Sequence, residues 1–140
     1  MNNMQNGTYN THFNKGNIMA NPKVLIVEDD NVILSIEKWR LSNLGYEICG
    51  SAGTGAEAME CAAHMRPDIV LMDITLKGEM DGIETASRIK KNFDIPVIFV
   101  SSHTDEEIIS RAKAVNPDGF IKKPFNDDDL RIAIELGLKK

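Results

Sequence analysis

The segment DIVLMDITLKGEMDG, residues 68 to 82, decides how this chain is read. After Asp68 it runs through four consecutive apolar residues, Ile69 to Met72, and then stops on an acid, Asp73. A run this short, rich in Ile and Val, reads as a strand covered on both faces. Four more runs of the same kind lie around it: KVLIVE (23 to 28), YEICGSA (46 to 52), PVIFVS (96 to 101) and GFIKK (119 to 123). Between them, apolar residues recur at helical spacing. The sets are Ala58, Met59, Ala62 and Ala63; Ile83, Ala86, Ile89 and Phe93; Ile108, Ala112 and Val115; and Leu130, Ala133 and Ile134. Strands alternating with amphipathic helices predict an open five-stranded α/β sheet with helices on both faces. Such sheets bind ligands in the crevice beyond the carboxyl ends of their strands, where strand order reverses.

Helix boundaries carry their own signals. Asp30 or Asn31 is expected to cap the first helix and Thr54 the second, while Thr104 with Glu107 three residues on spells a capping box for the fourth. Gly45 should close the first helix and Pro67 the second.

A chain of 140 residues with 42% hydrophobic content builds one core without help from disulfides or metals. The formal charge of −5, with no basic stripe, argues against a nucleic-acid binder and for protein partners. Cys49 and Cys61 lack metal-ligand or C-x-x-C spacing and read as small apolar residues of a reducing compartment. No apolar run approaches the ~18 to 20 residues that cross a bilayer, and the N-terminus lacks a secretion signal, so a soluble cytoplasmic protein is expected. Residues 1 to 22 differ in kind, with seven asparagines, no acid and Lys15 as the lone charge. They are expected to form a disordered tail ahead of a domain spanning 23 to 140, and Met19 is an alternative start.

On the expected scaffold, the polar residues just past the strands converge. Glu28, Asp29 and Asp30 follow the first strand, Asp73 ends the third, Ser101 and Ser102 follow the fourth, and Lys123 follows the fifth. Carboxylates sharing one crevice raise each other's pKa unless a cation sits among them. All-oxygen ligands suit a hard divalent ion, and Mg²⁺ is the physiological candidate. His103 nearby is read as a loop residue rather than a ligand.

These residues carry a specific resemblance. VLIVEDD (24 to 30), DIVLMDITLKGEMDG (68 to 82), IPVIFVSSHTDEE (95 to 107) and GFIKKPF (119 to 125) are similar to the four signature segments of the response-regulator receiver family of two-component phosphorelays. The likeness spans residues 23 to about 138. It implies a doubly wound, flavodoxin-like sheet of order 2-1-3-4-5 with five helices. It further implies Asp73 as phosphoacceptor, with Asp29, Asp73 and the Thr75 backbone carbonyl as Mg²⁺ ligands and Glu28 assisting indirectly. Ser101 matches the hydroxyl that hydrogen-bonds the phosphoryl group, Lys123 the amine that pairs with it, and Phe120 the switching aromatic. The Lys123–Pro124 bond matches one that is cis in the family, and proline alone makes cis accessible, at about 0.5 to 1 kcal/mol. Ser101 replaces the commoner Thr and Phe120 the commoner Tyr, while Ser102 stands where a smaller residue is common.

The resemblance implies a sensor histidine kinase or phosphotransfer protein as donor, a downstream protein target, and a monomer or a phosphorylation-dependent homodimer. It implies a signalling switch that catalyses only its own phosphorylation and dephosphorylation. Rival readings fit less well. A dehalogenase-type phosphatase needs a second acid two residues after the nucleophile, where this chain has Thr75. A flavodoxin-like FMN carrier needs a phosphate cradle where this chain has Glu28, Asp29 and Asp30. A DNA-binding extension is not expected, since the patterned sequence ends one helix after GFIKKPF.

Overall fold

In the computed structural model, residues 21–139 are described. The order of elements is β1 (Lys23–Val27), α1 (Asn31–Asn43), β2 (Glu47–Ala52), α2 (Gly55–Met65), β3 (Ile69–Asp73), α3 (Gly82–Phe93), β4 (Val97–Ser101), α4 (Glu106–Ala114), β5 (Gly119–Lys122) and α5 (Asp127–Leu138). The strands form one parallel sheet in the order β2-β1-β3-β4-β5. The doubly wound topology expected from the alternation is therefore present, with strand ends within a residue of the expected ones. The expected tail lies outside the described residues up to residue 20. Pro22 already belongs to the fold, since its carbonyl accepts the Glu47 N–H at 2.9 Å.

Strand residues alternate between two apolar layers because successive side chains point to opposite faces. Leu25, Val27, Val70, Met72 and Phe99 face Ala58, Ala62, Ala86 and Ile89 of α2 and α3. Val24, Ile26, Leu71, Ile98 and Val100 face Leu41, Leu130 and Ile134 of α1 and α5. Each large side chain buried this way stabilises the fold by about 1.5 to 3 kcal/mol. Phe99 is fully buried, so its truncation to Ala would cost about 3 to 5 kcal/mol. Ala63, expected on the core face of α2, is exposed, because a buried stripe through Ala58 and Ala62 leaves the next residue a hundred-degree turn away.

The caps correct two expectations. Asp30 caps α1, as expected, by accepting the Val32 and Ile33 N–H groups at 2.9 and 3.1 Å, but its carboxylate is thereby spent on the helix and does not join the acids of the crevice where it was also expected. At α4 the cap is Asp105, which accepts the Ile108 N–H at 3.0 Å, and not Thr104 with Glu107. The helix starts one residue later than the Thr-x-x-Glu pattern suggests, and a carboxylate at that position reaches the first-turn donors. The capping box that does form is Asn126 with Asp129, on α5. Thr54 caps α2 as expected. Beyond α1, Gly45 takes a φ of 94°, and α2 ends at Arg66 in the left-handed region just before Pro67. At the start of α3, a Cβ on Gly82 would strike the carbonyl of Asp73, so glycine lets that helix close over the end of β3.

Candidate functional site

Register brings the strand ends to one level. Val27 pairs with Met72, Asp73 with Val100, and Ser101 with Lys122, so the residues just beyond β1, β3, β4 and β5 open into a common crevice. Glu28, Asp29 and Asp73 each offer an oxygen there, all within 4.8 Å of one another. Glu28 is buried, and its carboxylate accepts the Asp30 N–H at 3.1 Å and the Lys123 ammonium at 3.3 Å. Asp29 accepts the Lys77 N–H at 3.1 Å, tying the β3–α3 loop across the crevice. Asp73 accepts the Thr75 N–H at 3.1 Å and lies 4.0 Å from the Lys123 nitrogen. The Lys123–Pro124 bond is cis.

Burial first, and then the neighbouring Glu28 charge, push the Asp73 carboxyl up to about 7, against the opposing pull of Lys123. Burial works against the charge on Lys123, but Asp73 and Glu28 outweigh it and hold the ammonium above the ordinary lysine range. One ammonium among three carboxylates leaves the crevice short of positive charge. That deficit, with donors that are all oxygen, fits a hard divalent cation.

Ser101 is buried at the end of β4 and faces its own loop. Its hydroxyl donates to the His103 carbonyl at 3.0 Å and accepts the His103 N–H at 2.9 Å. The structure does not join it to Asp73. The His103 ring lies 3.4 Å from the Thr75 hydroxyl, closing that side of the crevice. Phe120 is half-buried and meets the buried Phe99 edge-on, with ring centroids 6.4 Å apart. The structure thus gathers Glu28, Asp29, Asp73 and Lys123, places Thr75 and His103 at the rim, and leaves Ser101 and Phe120 one layer away along β4 and β5.

Sequence reasoning passed over two neighbours of the site on α1. Glu37 is only 4% exposed, on the helix face that also carries Leu41. Burial first, then Glu28, push its carboxyl up to about 7, while Lys123 and Arg40 pull the other way. Arg40 donates to Asp127 at 2.9 Å and to the Phe125 carbonyl at 2.8 Å, with its guanidinium 4.4 Å from the centre of the Phe125 ring. The signal for Glu37 was an acid set halfway between Leu34 and Leu41, in a stripe where helical spacing calls for an apolar residue.

A doubly wound sheet with an acidic crevice and a lysine before a cis-proline defines a narrow class of protein. The sequence profile of the response regulator receiver domain matches residues 24–135, and the chain belongs to that family. It is 36% identical over 118 residues to the transcriptional regulatory protein PdtaR of Mycobacterium tuberculosis, covering 84% of this chain and 57% of that protein. It is 34% identical over 115 residues to the probable C4-dicarboxylate response regulator DctR of Bacillus subtilis, covering 81% and 50%. The chain thus spans about half the length of these relatives. Among solved structures it is similar to the signal receiver domain of a modulated diguanylate cyclase from Desulfovibrio desulfuricans G20, at 43% identity and a TM-score of 0.81. That match covers 85% of this chain and 94% of the other. A CheY-like receiver domain protein from Methanospirillum hungatei matches at 29% identity and a TM-score of 0.76, covering 85% and 94%. No helix among the described residues is long and apolar enough to cross a membrane.

Proposed function

We propose that this receiver domain is a Mg²⁺-dependent phosphorylation switch that accepts a phosphoryl group on Asp73. The observation that carries this reading is the acid trio within 4.8 Å, with Lys123 at 3.3 Å from Glu28 and 4.0 Å from Asp73. Asp29, Asp73 and the Thr75 carbonyl would hold the metal, with Glu28 assisting indirectly. Bound there, Mg²⁺ supplies the positive charge that lets these carboxylates ionise together and that offsets charge on phosphoryl oxygens.

Phosphoryl transfer asks for position and counter-charge rather than covalent work by the protein. The Asp73 carboxylate, fixed by the Thr75 N–H, attacks phosphorus as the bond to the donor breaks. With a phosphohistidine donor, on a sensor kinase or a phosphotransfer protein, the P–N bond breaks and the leaving imidazole takes a proton from solvent. Lys123 turns its ammonium from Glu28 to a phosphoryl oxygen, an attraction of up to about 4 kcal/mol at 4 Å and an effective dielectric near 20. The Ser101 hydroxyl exchanges its bonds to the His103 backbone for one to the new phosphoryl group. Phe120 then shifts into the space Ser101 leaves, so the message is a population shift between two packings.

The chain is a switch and not an enzyme with a separate substrate; it carries out only its own labelling and hydrolysis. Its output face is built from α4, β5 and α5. An open cleft of about 740 Å³ already lies there, lined by Phe120, Ile132 and Leu136, and the last two expose large apolar surface. A downstream cytoplasmic protein, or a second phosphorylated copy, reads that face. The formal charge of −5 makes nucleic acid a poor direct partner. Intact mass after incubation with acetyl phosphate and Mg²⁺ tests the reading. One added phosphoryl group, absent with EDTA and absent in Asp73→Asn, is expected; undiminished labelling of Asp73→Asn defeats it. NMR shifts on adding beryllofluoride test the output face, and changes confined to the Asp73 shell would overturn the assignment of Ser101 and Phe120.

A further inference from the structure

A second cleft, of about 360 Å³, lies beside the crevice, between α1 and the loop joining β5 to α5. Its walls are mainly apolar, from Ile33 and Ile36 on one side and Pro124 and Phe125 on the other. Three charged side chains also border it: Glu37, Arg40 and Lys123. The two cations are engaged. Arg40 is bound to Asp127 and the Phe125 carbonyl, and Lys123 to Glu28.

Glu37 is not. It is 4% exposed, yet among the described residues its carboxylate has no hydrogen bond and no ion pair. Lys123 and Arg40 act on it only through longer-range attraction. A buried carboxylate without a partner is costly, and in folded proteins such groups nearly always have one. Here the cleft is the direction from which a partner can come. The volume is that of a small ligand site, and its chemistry is an open, mainly apolar groove with one unmet negative charge.

We propose that this cleft binds a small organic ammonium ion, a monocationic amine with an apolar body about the size of a benzyl group. The ammonium donates to Glu37, and the body lies between Ile33, Ile36 and the Phe125 ring. Polyanions and phosphorylated ligands are disfavoured, because both cations at the rim are already neutralised by their own carboxylates.

Titrating the full chain with benzylammonium chloride in mildly alkaline buffer, followed by amide NMR shifts, tests the site. Benzyl alcohol serves as the neutral isostere and methylammonium as the charge without the body. Saturable shifts are expected at residues 33 to 40 and 123 to 125, with benzylammonium bound about tenfold more tightly than benzyl alcohol, the usual margin of one charge-assisted hydrogen bond. Methylammonium should be weaker than benzylammonium. Glu37→Gln should erase the preference over the alcohol; its own amide spectrum shows whether it is folded. Ile36→Trp, at a half-exposed rim position, should fill the cleft and weaken both aromatic probes. Equal affinity for amine and alcohol, equal affinity for methylammonium, a preference that survives Glu37→Gln, or shifts located elsewhere would each overturn the proposal.

Discussion

The two ends of the sheet both gather charge and put it to opposite use. At the amino ends of the strands, carboxylates meet donors: one ammonium and two backbone N–H groups. Asp118, just before β5, accepts the Lys90 ammonium and the Val97 N–H at 2.8 Å each. Asp68, just before β3, accepts the N–H of Lys23 at 2.7 Å. At the carboxyl ends, three acids are packed against one another with one lysine between them. At the first end, Asp68 and Asp118 tie neighbouring strands through backbone N–H groups, and Asp118 also anchors α3 through Lys90. Like charges at the second hold the folded state in a condition that a cation or a phosphoryl group relieves. The lesson is that a charged residue near a strand end says little until the sign of its neighbours is known.

The strongest way to break this contrast is Asp73→Asn. It should abolish labelling by acetyl phosphate, as read by intact mass, while leaving the melting temperature in metal-free buffer unchanged or higher, because one repelling carboxylate is gone. A marked fall in melting temperature would mean that the acids hold the fold together and that the two ends do not differ.

Lys123→Ala should slow labelling by about tenfold, equivalent to some 1.4 kcal/mol of lost counter-charge, with little effect on Mg²⁺ affinity measured by titration. Lys122→Ala should stay within about twofold of the native rate, since Lys122 is exposed and pairs across to Ser101 from the last position of β5. Equal effects from the two changes would show that the register places the wrong lysine in the crevice.

Asp118→Ala is the complementary test at the other end. It strands the Lys90 ammonium and the Val97 N–H, both partly buried. A loss of about 2 to 3 kcal/mol in denaturant unfolding is expected, below the full cost of breaking a buried pair because Lys90 can reach water. The labelling rate of the folded molecules should not change. A slower rate would connect the two ends through β4 and β5.

Most of this contrast was legible from sequence, for a physical reason. Strands buried on both faces read as short apolar runs, and a residue directly after such a run is placed by the strand itself. Glu28, Asp29, Asp73 and Lys123 were therefore found together before any coordinates. What stayed hidden was contact over distance and choice among adjacent groups. Arg40 meets Phe125 and Asp127 across 85 and 87 residues, which no local pattern encodes. Asp30 and Asp29 are neighbours of the same type, and only the helix geometry sends one to the cap and the other to the crevice. Thr104 and Asp105 are both good caps, and the choice turns on where the first helical residue falls. The local roles of Ser101 and Phe120 came from the family likeness.

The most diagnostic effect should come from Glu37→Gln, which asks how far the carboxyl-end cost spreads into α1. Glu37 is faced by Glu28 and Asp73, which raise its carboxyl pKa, and by Lys123 and Arg40, which lower it; burial dominates, and the result is a rise from 4.5 to about 7. The unfolded chain gives up this proton near 4.5, whereas the folded chain keeps it until about 7. The folded state therefore binds more protons across that window, and stability falls as pH rises through it, with the loss complete above it. Each pKa unit is worth about 1.4 kcal/mol, so a rise from 4.5 to about 7 makes the loss on the order of 3 kcal/mol. Gln carries no proton to lose. In metal-free buffer the variant should melt roughly 10 °C above the native chain in the alkaline arm and close to it at acid pH, for a domain in which 1 kcal/mol moves the midpoint by roughly 4 °C. A difference that does not change with pH would show that Glu37 already has a partner when folded, and with it the strain at the carboxyl end would be confined to Glu28, Asp29 and Asp73.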